Sequence, residues 1–173
     1  MPAIRSVAQI RKSRLTTEGA GVRLRRVFGE VDARLDPFLL LDHFGSDRPE
    51  DYLAGFPSHP HRGIETITYM LDGTVEHGDS LGNAGSIGPG DVQWMTAGSG
   101  IIHQEMPRRS KALEGFQLWS NLPASDKMMH PRYRDLLASD IPGVDLGPGA
   151  HAKVICGSIA GVQGSVQDIV TDP

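Results

Sequence analysis

The chain has 173 residues, 39% of them hydrophobic, which is enough for one domain, or slightly more, with a buried core. A formal net charge of −4 gives no sign of affinity for nucleic acid or for an anionic membrane surface. The 21 glycines and 12 prolines favour many turns, and therefore a β-rich architecture over a helix bundle.

Alternating apolar and polar residues predict a series of short strands separated by turns rich in glycine, proline and aspartate. The predicted strands, in chain order, are an edge strand within 1–15, then 21–29, 37–45, 64–73, 74–77, 92–98, 101–106, 115–123 and 151–161. Helical patterning occurs only near residues 125–140, where Pro131 would limit it to two short pieces. The pattern predicts an all-β fold, a sandwich or a small barrel, with short helices near 125–140.

Two motifs carry metal-ligand residue types at i, i+2 spacing. They are His59 and His61 in FPSHPHRGIETITYML, and His103 and Glu105 in GSGIIHQEMP. On a strand, this spacing points both side chains to the same face of the sheet. A Pro-Gly-Asp turn at 89–91 precedes the second motif, as expected if hairpins return the chain to the first. Two such strands side by side would direct three imidazoles and one carboxylate at one point, which predicts a metal site with open coordination positions.

This donor set suits Fe(II), with Mn, Ni, Co, Cu and Zn as alternatives. Imidazole has to be deprotonated before it can bind a metal, so we expect the affinity to fall below about pH 6. The other histidines lack a partner at ligand spacing and are predicted to have surface or structural roles. They are His43, His77, His130 and His151.

The chain resembles the pirin family of the cupin superfamily in the stretches DPFLLLDHFG, FPSHPHRGIETITYMLDGTVEH, GPGDVQWMTAGSGIIHQEMP and GFQLWSNLP. The resemblance covers most of residues 36–123 and implies a cupin-type β-barrel or double-stranded β-sandwich. It assigns one metal to the four residues that the spacing selects: His59, His61, His103 and Glu105. The general cupin pattern also offers Glu65 as a ligand, but in pirins the carboxylate comes from the second motif. We therefore expect Glu65 either to support the metal ligands from outside the coordination sphere or to have a structural role.

Pirins are usually bicupins of nearly twice this length. We therefore expect residues 1–150 to form a metal-binding cupin domain and residues 151–173 to be a C-terminal strand and tail, where a second cupin would begin. A single cupin leaves a sheet edge or face uncovered, which predicts a homodimer, or a mobile C-terminal tail if the chain is a truncated bicupin.

The predicted metal site and the resemblance leave three alternative functions open. In the first, the protein is a quercetin 2,3-dioxygenase-type oxidoreductase that cleaves a small aromatic flavonol with O₂, and Glu105 is both a ligand and the catalytic base. In the second, it is a non-catalytic, iron-binding and redox-sensing regulator with a protein partner, of the transcriptional co-regulator type. In the third, it is a stress or metal-buffering protein. Open coordination positions argue against the third, because structural metal sites tend to be closed.

The single cysteine, Cys156, cannot form an internal disulfide, which favours a reducing compartment. The first twenty residues lack the continuous apolar run of a secretory signal, and no segment is apolar enough to cross a bilayer. We therefore predict a cytoplasmic protein that contacts neither a membrane nor nucleic acid directly.

Overall fold

The computed structural model describes residues 6–30 and 32–171, and two antiparallel sheets that face each other dominate it. The larger sheet has seven strands in the order β1-β2-β3-β10-β5-β8-β11. Their bounds are β1 Arg14–Glu18, β2 Val22–Phe28, β3 Phe38–Ser46, β5 Ile64–Asp72, β8 Val92–Thr96, β10 Leu113–Asn121 and β11 Arg132–Leu136. The smaller sheet has the order β4-β9-β6-β7. Its strands are β4 Phe56–His61, β6 Val75–Asp79, β7 Ala84–Ile87 and β9 Ile101–Pro107.

Two short hairpins follow the sandwich. They are β12 Gly143–Gly147 with β13 Ala150–Lys153, and β14 Ser158–Ile159 with β15 Val162–Gln163. Over the described residues the two large sheets share no ladder, so they form a sandwich and not a closed barrel. The all-β, cupin-type prediction is confirmed. The predicted edge strand within 1–15 reduces to the start of β1, and residues 1–5 of it lie outside the described part.

The prediction of short helices near residues 125–140 is wrong. This segment forms turns and then β11, which pairs with β8. Side chains along β11 alternate with period two: Arg132 and Arg134 pair with Asp168, whereas Asp135 contacts His77 of the smaller sheet. Alternate residues of a strand point to opposite faces, so this segment can contact the C-terminal segment on one face and the smaller sheet on the other.

A 3₁₀ turn at Pro49–Asp51 is the only helical element in the part of the chain that the structure describes. Nowhere in 6–30 or 32–171 is there a helix with the length and apolar character needed to cross a membrane.

The space between the sheets contains two apolar clusters with a polar zone between them. Along β5, Met70 belongs to the first cluster and Ile64 packs against the second, whereas Thr66 and Thr68 lie between them. The first cluster comprises Tyr52, Met70, Val75, Ile87 and Leu113, and the second comprises Met95, Ala97 and Ile101. Apolar burial at both ends thus stabilises a sandwich whose middle is free to hold polar side chains.

Candidate metal centre

The two histidine motifs form neighbouring antiparallel strands, β4 and β9, of the smaller sheet. His59 lies directly opposite His103, and His61 lies opposite Ile101. Residues opposite each other share a face, as do residues at i, i+2, so the register places all three imidazoles on one face. Glu105 follows at i+2 from His103 on the same strand.

A tight bend brings β9 to this position. The chain leaves β8 through Gly98 and Gly100, both with positive φ (51° and 138°). A Cβ at Gly98 would lie 2.2 Å from the carbonyl oxygen of Met129, so only glycine fits there. The Gly-Ser-Gly sequence is therefore required for His103 to return beside His59.

The three histidines form one compact cluster, with all ligand nitrogens within 4.8 Å of one another. The Nε2 atoms of His59 and His61 are 3.0 Å apart. His59 Nδ1 lies 2.8 Å from the carbonyl oxygen of Pro57, so an N–H at Nδ1 donates there and leaves Nε2 with a free lone pair. One nitrogen from each of the three rings thus lies close enough to the others for a single metal ion to bind all three.

His103 is the most buried of the three histidines. Its side chain is buried (1% exposed), and neither ring nitrogen has a hydrogen-bond partner. Leaving buried polar atoms unpaired costs free energy, about 1–3 kcal/mol for each group. A divalent metal held with the neighbouring imidazoles would satisfy one of these nitrogens, so the residues present fit a metal.

Glu105 lies on the wall of the same cavity as His59 and His61 and is also buried. Thr68 Oγ1 donates to Glu105 Oε1 at 3.4 Å, and Gln117 Nε2 lies 3.3 Å from both carboxylate oxygens. Trp119 Nε1–H donates to Gln117 Oε1 at 3.0 Å, which fixes the orientation of the Gln117 amide towards Glu105. Burial raises the pKa of Glu105, and the hydrogen bonds from Gln117 and Thr68 oppose that rise.

Two of the histidines resist protonation. Burial is the main cause that lowers the pKa of His61 to about 4, and the neighbouring imidazoles of His103 and His59 lower it further. Burial, followed by His59, likewise lowers the pKa of His103 to about 4. Both rings are therefore neutral near pH 7, the state that binds metals.

We expect the metal-free protein to lose stability between pH 7 and pH 5. In the unfolded chain, His61 and His103 titrate near 6.5, whereas each folded-state pKa is about 4. The unfolded state then binds more protons, so this stability is present above pH 6.5 and is lost as the pH falls towards 4. After allowance for solvent screening at His61, the loss at pH 5 should be on the order of 2 kcal/mol.

Urea titrations of the metal-free protein at the two pH values measure this loss. His103→Leu removes the more buried of the two groups and should reduce the pH dependence by more than half. Equal stability of the wild-type protein at pH 7 and pH 5 would contradict the prediction.

Beside the histidines, a cavity of about 670 Å³ lies between the two sheets. A volume of this size suits a small organic ligand. His59, His61 and Glu105 lie on its wall together with Gln117 and Trp119. Apolar side chains form much of the remaining wall, among them Val22, Leu24, Leu40, Phe44, Phe56, Val75 and Leu113.

Glu65 lies on the opposite face of the larger sheet from Thr68 and Gln117. It is buried, and its carboxylate accepts hydrogen bonds from Trp94 Nε1 at 3.1 Å, Thr96 Oγ1 at 2.6 Å and Thr171 Oγ1 at 3.3 Å. Glu65 therefore ties the sheet to the segment that covers its outer face and does not join the histidine cluster.

Glu65→Leu should destabilise the protein by about 3 kcal/mol, because the buried donors of Trp94 and Thr96 lose their acceptor. Metal content should stay at the wild-type level. Denaturant titration together with metal analysis measures both effects. A variant that keeps its stability but loses metal would show that Glu65 is a ligand after all.

The remaining histidines lie outside the cluster. His77 is buried on β6 opposite Glu105; its Nε2 lies 2.9 Å from Asp135 Oδ2 and its ring stacks on Tyr133. His43 Nε2 lies 3.1 Å from Glu114 Oε1. His130 and His151 are exposed.

Sequence reasoning did not identify Gln117 and Thr68 as partners of Glu105. The alternation in GFQLWSNLP shows that Gln117 and Trp119 share a face, but not that this face points into the cavity. The available signal was a pair of side chains with hydrogen-bonding groups, Gln117 and Trp119, at i, i+2 on one strand.

Comparison with known families decides the classification of the chain. The model of the pirin family matches residues 21–120, a segment that contains β4, β9 and all four predicted ligands. The chain belongs to the pirin family. The match to the pirin family and the three-histidine cluster together support the conclusion that the chain is a metal-dependent cupin.

A Pseudomonas aeruginosa protein with the provisional name quercetin 2,3-dioxygenase is 51% identical over 159 residues, which are 91% of this chain and 56% of that protein. The crystal structure of quercetin 2,3-dioxygenase from Acinetobacter baumannii aligns with a TM-score of 0.81 at 37% identity, over 91% of this chain and 58% of that one. The chain thus spans just over half the length of these two relatives.

A further solved relative is the bacterial pirin YhhW from Escherichia coli in complex with nickel(II). It is 28% identical, with a TM-score of 0.59 over 77% of this chain and 59% of that one.

Proposed function

We propose that this chain binds one divalent transition metal through His59, His61, His103 and Glu105. We further propose that it belongs to a quercetin 2,3-dioxygenase-type enzyme that oxidises a flavonol such as quercetin with O₂. The observation that carries the proposal is the buried His103, whose unpartnered nitrogens lie beside two other imidazoles at a largely apolar cavity. The relatives that bear the name quercetin 2,3-dioxygenase support the substrate class.

Fe(II) is the metal we propose, because three imidazoles and a carboxylate suit it and leave coordination positions open. Nickel is the specific alternative, since a pirin-family relative has been solved with nickel(II). The same donor set also accommodates Mn, Co, Cu or Zn.

A bound metal would act as a Lewis acid towards the flavonol oxygens and as an electron conduit between substrate and O₂. Glu105 takes the proton of the substrate hydroxyl, and burial equips it for this role by raising the pKa of its carboxyl group. Gln117 and Thr68 hold the Glu105 carboxylate in place through the hydrogen bonds given above. The apolar walls leave room for a flat aromatic ligand.

Oxygen uptake tests the enzyme proposal. The protein is purified without an affinity metal, loaded anaerobically with Fe(II), and mixed with quercetin in an oxygen electrode. We expect quercetin-dependent O₂ consumption that is lost after chelation and regained when Fe(II) is restored. One bound metal without O₂ consumption would refute a dioxygenase and favour the regulator with a protein partner.

The predicted division into a cupin domain (1–150) and a tail (151–173), the homodimer and the cytoplasmic location stay predictions. Sedimentation of the purified chain would measure its oligomeric state directly.

A further inference from the structure

The cavity has a second polar region, formed by β2 and β3. Arg26 donates Nε–H to Asp42 Oδ1 at 2.9 Å and Nη2–H to Asp42 Oδ2 at 2.8 Å, a bidentate pair. Arg26 Nη1 also lies 3.0 Å from Glu18 Oε1. All three residues lie on the wall of the cavity that His59 and His61 also line.

The charges in this region favour a ligand that donates hydrogen bonds. Two carboxylates, Asp42 and Glu18, face one guanidinium, so the group carries a net negative charge and offers no free cation to an anionic ligand. Asp42 is buried (5% exposed), and Arg26 occupies one lone pair on each of its oxygens. A carboxylate offers about four lone-pair sites, so Asp42 retains acceptor capacity towards the cavity.

The strand register fixes where Asp42 lies relative to the histidine cluster. Asp42 lies directly opposite Gln117 across the β3–β10 ladder, a spacing of about 5 Å. The Gln117 amide in turn contacts the Glu105 carboxylate at 3.3 Å. Trp119 and Leu40, which lie opposite each other on the same two strands, provide an apolar wall in this region. A flat molecule of two or three rings can therefore lie with one end at the histidines and the other at Asp42.

We propose that Asp42, held by Arg26, is a specificity-determining hydrogen-bond acceptor for a hydroxyl group at the end of the ligand remote from the three histidines. The ligand class is then a neutral polyhydroxylated aromatic, and not a carboxylate. This inference rests on the proposed function, because it assumes that the opposite end of the ligand is anchored at the metal.

Two flavonols distinguish the remote contact from the anchoring contact. Quercetin and 3-hydroxyflavone share the 3-hydroxy-4-keto group that chelates metals, but only quercetin carries further ring hydroxyls. Binding of each is measured by calorimetry under nitrogen, with the full chain loaded with Ni(II). We expect Asp42→Asn to weaken quercetin binding by about 10-fold and to change 3-hydroxyflavone binding by less than about 2-fold.

Asp51→Asn is the matched control, because Asp51 also forms a bidentate pair with an arginine, Arg48, but lies outside the cavity wall. It should leave the affinity for both flavonols unchanged. If Asp42→Asn does not fold, the double variant Arg26→Met, Asp42→Leu replaces the buried ion pair with apolar groups and leaves only the partly exposed Glu18 carboxylate without its partner. It should show the same selective loss.

Equal weakening of both flavonols, or of neither, in these variants would overturn the role of Asp42 while leaving the proposed function intact. A wild-type protein that binds nickel but neither flavonol would overturn both.

Discussion

His103→Leu should lower the affinity for Fe(II) or Ni(II) by more than about 100-fold, a larger loss than the 10–100-fold typical of losing an outer partner of a metal ligand. The same change should leave the metal-free protein at least as stable as the wild type. Leucine fills a similar volume, and the substitution removes two buried ring nitrogens that have no hydrogen-bond partner. Metal titration followed by calorimetry measures the affinity, and thermal melts with and without metal measure the stability.

His151→Ala is the control for the general loss of an imidazole, since His151 is exposed and lies outside the cluster. It should retain wild-type metal affinity. A His103→Leu protein that binds metal normally, or one whose metal-free form is strongly destabilised, would contradict the assignment of His103.

Glu105→Gln should reduce quercetin-dependent O₂ uptake by about 10²–10⁴-fold, because an amide cannot accept the substrate proton. Metal content should fall less than in His103→Leu, because His59, His61 and His103 form a cluster without Glu105. The oxygen electrode and metal analysis on one preparation separate the two effects. The amide oxygen of a glutamine at this position can still accept the hydrogen bond from Thr68, so the fold should be preserved.

Gln117→Leu is the companion variant, because it removes the amide that contacts both Glu105 oxygens but leaves the carboxylate. It should reduce turnover by less than Glu105→Gln does. Full O₂ uptake in Glu105→Gln would show that Glu105 is not the base.

The predicted ligands show how far local patterns reach in this fold. The i, i+2 spacing in HPH and HQE determines which side chains share a face, whatever the rest of the chain does. The turn at Pro89-Gly90-Asp91 and the bend at Gly98 and Gly100 also have local causes. These local patterns predicted which side chains share a face, and the resemblance to pirins indicated that β4 and β9 bring His59, His61 and His103 together.

The alternation of side chains along a strand does not show which face of the strand points inward. This limit explains why most of the polar contacts around the cavity were not predicted. Gln117 and Asp42 face the cavity because of the order β3-β10-β5, a long-range pairing that no short window contains. Glu65 belongs to the same strand as Thr68 but points to the opposite face, where Thr171 donates a hydrogen bond to it. The ion pair of Arg26 with Asp42 likewise joins two strands whose pairing the sequence alone did not reveal.

The error near residues 125–140 has a related cause. The sequence pattern predicts helix in this segment, but Pro131 lies directly before β11 and favours an extended chain at the residue that precedes it. Pairing with β8 then decided the structure, because Tyr133 lies opposite Met95 and packs against the second apolar cluster. Tertiary packing thus outweighed a weak local preference.

Metal analysis of the full chain, purified without an affinity metal and then titrated anaerobically with Fe(II), tests the assigned centre most directly. A site built by His59, His61, His103 and Glu105 predicts one tightly bound equivalent per chain, and none in His103→Leu. A wild-type chain that contains no metal and takes up none, or one that binds equally well after His103→Leu, would contradict it.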